Sequence, residues 1–201
     1  MPNELSINQL LPEVADRSIV ENKIHGSTFI GIDFGTSTTV VSYAVVGDKN
    51  APLKTNPIPI RQLNFDGNVL SHHLVPSCIA FQNNQLYVGQ GAKMLKSKLQ
   101  PDQNIWFSFK MNLGKDIGPE FTRTELREGN PYGKIENPLD ATKLFFKELK
   151  REIDNYIQEQ NLPRNLYYSV SIPASFEANQ RADLKKALEF ADIPINETLF
   201  I

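Results

Sequence analysis

Seven residues, Asp33-Phe34-Gly35-Thr36-Ser37-Thr38-Thr39, set one carboxylate, one glycine and four hydroxyls between two apolar runs, Phe29–Ile32 and Val40–Val46. This combination suits two uses. Asp and Gly favour tight turns, so the knot can be a plain hairpin. A tight strand–turn–strand loop also leaves backbone N–H groups without ladder partners at its tip, and such groups converge on anions. Gly35 would let a phosphate approach without a Cβ in the way, and Thr36 to Thr39 would add hydroxyl donors. Asp33 fits beside a phosphate only with a cation between them, and Mg²⁺ takes oxygen ligands while keeping waters. The residues alone leave both uses open.

The elements that must position the knot follow from pattern. Phe29 to Asp33 and Thr39 to Val46 predict two strands, the second rich in β-branched residues. Gly47-Asp48-Lys49-Asn50 predicts a turn, and Ile58 to Phe65 a third strand closed by Asp66-Gly67. Two short strands are expected around Asn83-Asn84, then a short helix near Ala92 to Leu99. Trp106, Phe107 and Phe109 form a compact aromatic stretch expected in the core. Residues 115–136 are rich in turn residues and charges and read as a hairpin or loop. Asn137-Pro138-Leu139-Asp140 is a helix start: Asn caps, Pro suits the first helical position, and Asp faces the positive helix end. Phe145, Leu149, Ile153 and Ile157 make an i, i+4 stripe, so this helix should run to about Gln160. Leu166 to Ile172 predicts a strand, and Ser175 the cap of a helix to about Ala191. Strands at the start and helix–strand–helix at the end give α/β with a mixed sheet.

Composition narrows the classes. The 201 residues are 40% hydrophobic and 22% charged, which permits a packed core. A net charge of −2 gives no general attraction to nucleic acid or anionic membrane. No apolar run approaches the ~18 residues of a spanning helix. The opening 27 residues lack a basic start and an apolar stretch, so a secretory signal is not expected. Cys78 is the sole cysteine, which excludes an internal disulfide and a cysteine zinc site. A cytoplasmic protein is the expectation. His72 and His73 are adjacent and would point to opposite faces of a strand, a poor arrangement for a metal. His25 is expected to be exposed, and Lys147, Lys150 and Arg151 to form a solvated helix face. Lys110 by composition alone is one surface lysine among many.

"GIDFGTSTT" resembles the first phosphate loop of the superfamily of sugar kinases, heat-shock chaperones and actin. Further stretches select the seventy-kilodalton heat-shock chaperones: "VPSCIAF" (Val75 to Phe81), "VGQGAK" (Val88 to Lys93), "FSFKMNLG" (Phe107 to Gly114) and "VSIPASFEANQRADLKKALEFADI" (Val170 to Ile193). They occur in the family's order and extend over Phe29 to about Ile193.

The resemblance implies a ribonuclease-H-like, actin-type ATPase fold with a mixed five-stranded sheet, flanking helices and a smaller inserted subdomain, one lobe only. Residues 28–65 and 138–201 would form the core subdomain of that lobe, residues 66–137 the insertion, and residues 1–27 an N-terminal extension. It implies ATP or ADP with Mg²⁺ as cofactors. Asp33 matches the Asp that holds Mg²⁺ through water, and Thr36 a residue near the γ-phosphate. Gly35, Thr36 and the N–H groups of Ser37 and Thr38 would cradle phosphate. Lys110 matches a catalytic lysine that stabilises γ-phosphate charge and orients water. Pro173 and Arg181 match a proline switch and relay arginine that carry nucleotide state onward. Two positions depart from the family: Ser175 stands where an aromatic is usual, and Met111 where a basic residue follows the lysine.

In the family a second phosphate loop, its Asp, a catalytic acid and the adenosine pocket come later in the sequence. Glu197 precedes the strand-like Leu199-Phe200-Ile201 and is not that acid. The expectation is therefore a half-domain that binds ATP weakly or not at all, does not turn it over usefully, and tends to self-associate. Unfolded or partly folded polypeptide clients and co-chaperones are the implied partners of the longer protein. A lobe of a metabolite kinase or of a filament-forming actin-like protein shares the first loop. The Pro173 to Arg181 segment and "FSFKMNLG" favour the chaperone.

Overall fold

The computed structural model describes residues 23–47, 52–99, 104–115, 135 and 137–194. The expectations for residues 1–22, Asp48 to Asn50, residues 116–134 and the Glu197 region lie outside the described residues.

Two strands set the frame. β1 (Thr28–Phe34) and β2 (Thr38–Val45) form an antiparallel hairpin from Thr28↔Val45 to Phe34↔Thr39. Strand alternation sorts β1 into two faces. Ile30, Ile32 and Phe34 are buried, whereas Phe29, Gly31 and Asp33 lie on the more open face. β10 (Leu166–Val170) adds to the other side of β1 in parallel, from Thr28↔Leu166 to Ile32↔Val170. At the far edge of β2, β3 (Asn56–Pro57) pairs with Ser42–Tyr43 and β6 (Leu74–Pro76) with Thr38–Val40. The result is a mixed five-stranded sheet.

The expected third strand divides. Ile58 still donates to the Val41 carbonyl at 2.8 Å, but Pro59 has no N–H and ends that pairing. β4 (Ile60–Leu63) then turns back on β5 (Val69–His72) as a separate hairpin around Asp66-Gly67. Asp66 accepts from the Asn68 N–H at 3.0 Å, and Gly67 has φ 86°, so local turn chemistry outweighs addition to the main sheet. His72 Nδ1 accepts from the Leu74 N–H at 3.0 Å.

A three-stranded antiparallel sheet follows: β7 (Cys78–Gln82) lies between β8 (Gln85–Val88) and β9 (Ile105–Phe107). α1 (Gln90–Leu95) starts earlier than the expected Ala92 because Gly89, at φ 75°, turns the chain into it. A Cβ at Gly89 would meet Gln62 Oε1 at 2.3 Å. That buried amide accepts from the Gln90 N–H at 2.8 Å and donates to the Leu74 carbonyl at 3.2 Å, joining β4, β6 and α1. Burial among Ala80, Ala92, Leu95 and Ile105 pushes the Cys78 thiol up to about 12.

α2 (Pro138–Glu159) begins as expected. Asn137 Oδ1 accepts from the Asp140 N–H at 2.9 Å, and Pro138 occupies the first position. Its stripe Phe145, Leu149, Ile153 and Ile157 is buried against the sheet. Of the expected solvated face, Lys147 is exposed, while Lys150 pairs with Asp154 at 2.6 Å and Arg151 with Glu148 at 2.8 Å. Exposed pairs of this kind contribute about 0.3–0.5 kcal/mol each.

α3 (Ala178–Phe190) is capped by Glu177 rather than Ser175. Phe176 N–H donates to the Pro173 carbonyl at 3.0 Å, which places Ser175 inside a turn. Gln180 then reaches back to the Glu177 N–H at 3.0 Å and completes a capping box. One continuous core joins β1, β2, β7, β9, α2 and α3. Phe34 sits in its middle, with ring centroids 4.9 Å from Phe146, 5.9 Å from Phe145 and 6.2 Å from Phe109.

Candidate functional site

The polar knot is the loop between β1 and β2, Gly35 to Ser37, with Thr38 and Thr39 opening β2. Its shape depends on Gly35: a Cβ there would lie 2.2 Å from the Thr38 carbonyl oxygen. The glycine is therefore required by the narrowness of the loop itself, before any ligand is considered.

Ser77, buried between β6 and β7, straps the loop from behind. Its hydroxyl donates to the Gly35 carbonyl at 2.7 Å, and its N–H donates to the Ser37 carbonyl at 3.0 Å. Having used its proton, the Ser77 hydroxyl accepts from Thr39 Oγ1 at 2.9 Å. A trans peptide unit points its N–H opposite to its carbonyl. Fixing the Gly35 and Ser37 carbonyls toward Ser77 thus turns the N–H groups of Thr36 and Thr38 away from it. Thr39 is consumed by this strap, leaving Thr36, Ser37 and Thr38 as the partly or fully exposed hydroxyls.

Lys110 stands beneath the same loop. It lies in a 3₁₀ turn (Phe109–Asn112) and is 5% exposed. Its Nζ donates to the Phe34 carbonyl and lies 5.1 Å from the Phe34 ring and 5.5 Å from the Phe176 ring. Burial lowers its affinity for a proton below the ordinary lysine range, and the Asp33 carboxylate acts in the opposite sense. A buried ammonium with one carbonyl acceptor retains capacity for a further anionic partner. The composition-based reading of Lys110 as an ordinary surface lysine is corrected by this burial.

Asp33 is exposed on the open face of β1 and accepts from Ser171 Oγ at 2.5 Å. It borders an open hollow of about 310 Å³ on that face, walled by Gly31, Val40, Ser42, Ser169 and Ser171. Small side chains at these positions on β1, β2 and β10 create the space. Asp33, Gly35, Thr36, Ser37, Thr38 and Lys110 are thus gathered around the β1–β2 turn. Pro173 and Arg181 stand one step away. Arg181 Nε donates to the Phe176 carbonyl at 3.1 Å, and Phe176 in turn packs by its ring toward Lys110. Among the described residues, no cluster of three or more His, Cys, Asp or Glu forms a metal cage. An oxygen-ligated Mg²⁺ held through water by one carboxylate does not need such a cage. No helix among the described residues is long and apolar enough to cross a membrane.

No family model matches the chain. Similarity to individual proteins is informative. Over 167 residues, 83% of the chain, it is 23% identical to "Chaperone protein DnaK" of Methanothermobacter thermautotrophicus. It is 25% identical over 174 residues to the DnaK of Picrophilus torridus, and 26% identical over 167 residues to that of Mycoplasmopsis pulmonis. The chain is thus similar to DnaK chaperones at 23–26% identity over 83–86% of its length. It spans 22–24% of the length of these DnaK proteins.

The residues that sequence reading missed are those that hold the site. Ser77 lies within "VPSCIAF", and the likeness of that stretch to the seventy-kilodalton heat-shock chaperones assigns the serine no role. Its immediate signal is only a serine after a proline. Ser171 and Phe176 have no chemical signature beyond their place near Pro173.

Proposed function

We propose that this chain forms one wall of an ATP cleft in a heat-shock-type chaperone ATPase, with the β1–β2 loop as its phosphate cradle. The observation that carries this reading is the strapping of the loop by Ser77. It commits the loop carbonyls to the protein body and turns the Thr36 and Thr38 N–H groups outward. Hydroxyls of Thr36, Ser37 and Thr38 flank those groups, and Lys110 supplies buried positive charge beneath.

In this reading Asp33 orients water on Mg²⁺, Thr36 faces the γ-phosphate, and Lys110 stabilises its charge and aligns the attacking water. Mg²⁺, when bound with ATP or ADP, neutralises phosphate charge. Pro173 and Arg181 relay the state of the site through Phe176. The fold is read as one lobe of the ribonuclease-H-like, actin-type architecture. Residues 28–65 and 138–201 are its core, 66–137 its smaller insertion and 1–27 an extension. Polypeptide clients and co-chaperones, and a cytoplasmic location, belong to the same reading of the longer protein.

Amide and lysine-side-chain NMR of the chain titrated with Mg-ATP tests this. Shifts centred on Thr36 to Thr38 and Lys110 are expected. Shifts confined to another region, or none, overturn the cradle.

A further inference from the structure

The 3₁₀ turn that carries Lys110 is gripped by two side chains of α3. Asp183 Oδ2 accepts from the Gly114 N–H at 3.1 Å, and Asn179 Nδ2 donates to the Gly114 carbonyl at 2.6 Å. Asn179 and Asp183 are four residues apart and so share one helix face. Together they take both polar groups of one backbone residue. Gly114 has φ 71°, and a Cβ there would stand 2.7 Å from the Gln180 backbone nitrogen, so the turn is pressed onto the α3 backbone. Between clamp and lysine the chain is short: Leu113 is buried, and its N–H donates to the Lys110 carbonyl at 3.4 Å. Position 181, between the two clamp residues, is the arginine that holds the Phe176 carbonyl, and the Phe176 ring faces Lys110 Nζ. α3 therefore reaches Lys110 by two routes, one through its backbone turn and one through the ring above it.

We propose that Asn179 and Asp183 are positioning residues for Lys110, clamping its turn to α3 so that a displacement of α3 withdraws the lysine from the β1–β2 loop. The significance of the clamp for nucleotide rests on the reading of Lys110 given above; the clamp itself does not. The groups facing Lys110 are the Phe34 carbonyl and ring, the Asp33 carboxylate and the Phe176 ring.

The test is the rate at which an amine-reactive acylating probe modifies Lys110 in the folded 201-residue chain, read by peptide mass spectrometry with exposed Lys54 as internal reference. In Asn179→Ala/Asp183→Ala, loss of two hydrogen bonds, one to a charged acceptor, raises the open population and the Lys110 rate about tenfold or more. The midpoint of its pH profile should move up toward the ordinary ~10.4. Asp183→Asn keeps an acceptor for the Gly114 N–H and should retain slow labelling. Unchanged labelling in a double variant that keeps its circular dichroism overturns the clamp, as does Asp183→Asn labelling as fast as Asp183→Ala. Should the double variant not fold, the single alanine variants decide by the same criterion. Slow labelling released by the variants in a chain that shows no ATP-induced shifts would leave the clamp standing and remove the nucleotide reading alone.

Discussion

The two faces of β1 differ in almost every physical respect. On one, Ile30, Ile32 and Phe34 are buried under α2 and the aromatic cluster of Phe109, Phe145 and Phe146. On the other, Gly31 and Asp33 look onto a hollow walled by Ser42, Ser169 and Ser171, and Phe29 stacks on Tyr167. The first face is held by non-directional burial, the second by a few directed hydrogen bonds. The lesson lies at the end of the strand, where the two meet. Phe34 turns its ring into the core and its carbonyl to Lys110, so the hydrophobic anchor also fixes the acceptor that orients the buried amine. Burial supplies the rigidity, and the polar loop uses it.

The largest effect belongs to the core face: Phe34→Ala should cost about 3–5 kcal/mol in urea unfolding, since a fully buried aromatic leaves a cavity among three rings. A loss under about 1 kcal/mol would break the contrast. Next comes the strap. Ser77→Ala leaves the Gly35 carbonyl unpaired and should cost about 1–3 kcal/mol, with faster exchange of the position-77 amide that donates to the Ser37 carbonyl. Protection unchanged at that amide would show that the loop holds itself.

Lys110→Met gives a smaller effect, visible against pH. The folded-state affinity of Lys110 for its proton is lowered, so between its folded and ordinary values the unfolded chain binds more protons. The parent should therefore gain stability relative to Lys110→Met as pH rises through the folded value toward ~10.4. Parallel stability curves for parent and variant would contradict the burial of the amine. Smallest is the open face: Asp33→Asn should change stability by no more than about 0.5 kcal/mol. It should nevertheless weaken the Mg²⁺ dependence of any ATP-induced shifts, which the same NMR titration with and without Mg²⁺ measures.

How far the sequence could be read depended on the range of each signal. Asn137 and Pro138 announce α2 because caps act within one turn, and the Phe145–Ile157 stripe shows its buried face by period alone. Ser175 misled for a related reason: it has cap chemistry, but the Pro173–Phe176 turn placed Glu177 at the helix start. The third strand was legible as extended chain, yet Pro59 and the Asp66–Gly67 turn assigned it to a hairpin of its own.

By itself the sequence determined the order of elements, the buried stripe of α2, the hydroxyl-rich turn after β1 and the likeness that selects Lys110. Only the tertiary structure decided what that turn and that lysine face. Ser77 meets Gly35 across 42 residues, Lys110 meets Phe34 across 76, and Asp183 meets Gly114 across 69. Contacts of that span leave no periodicity along the chain. They exist because burial of the shared core brings distant segments to the same end of one sheet, where their unpaired polar groups must find one another.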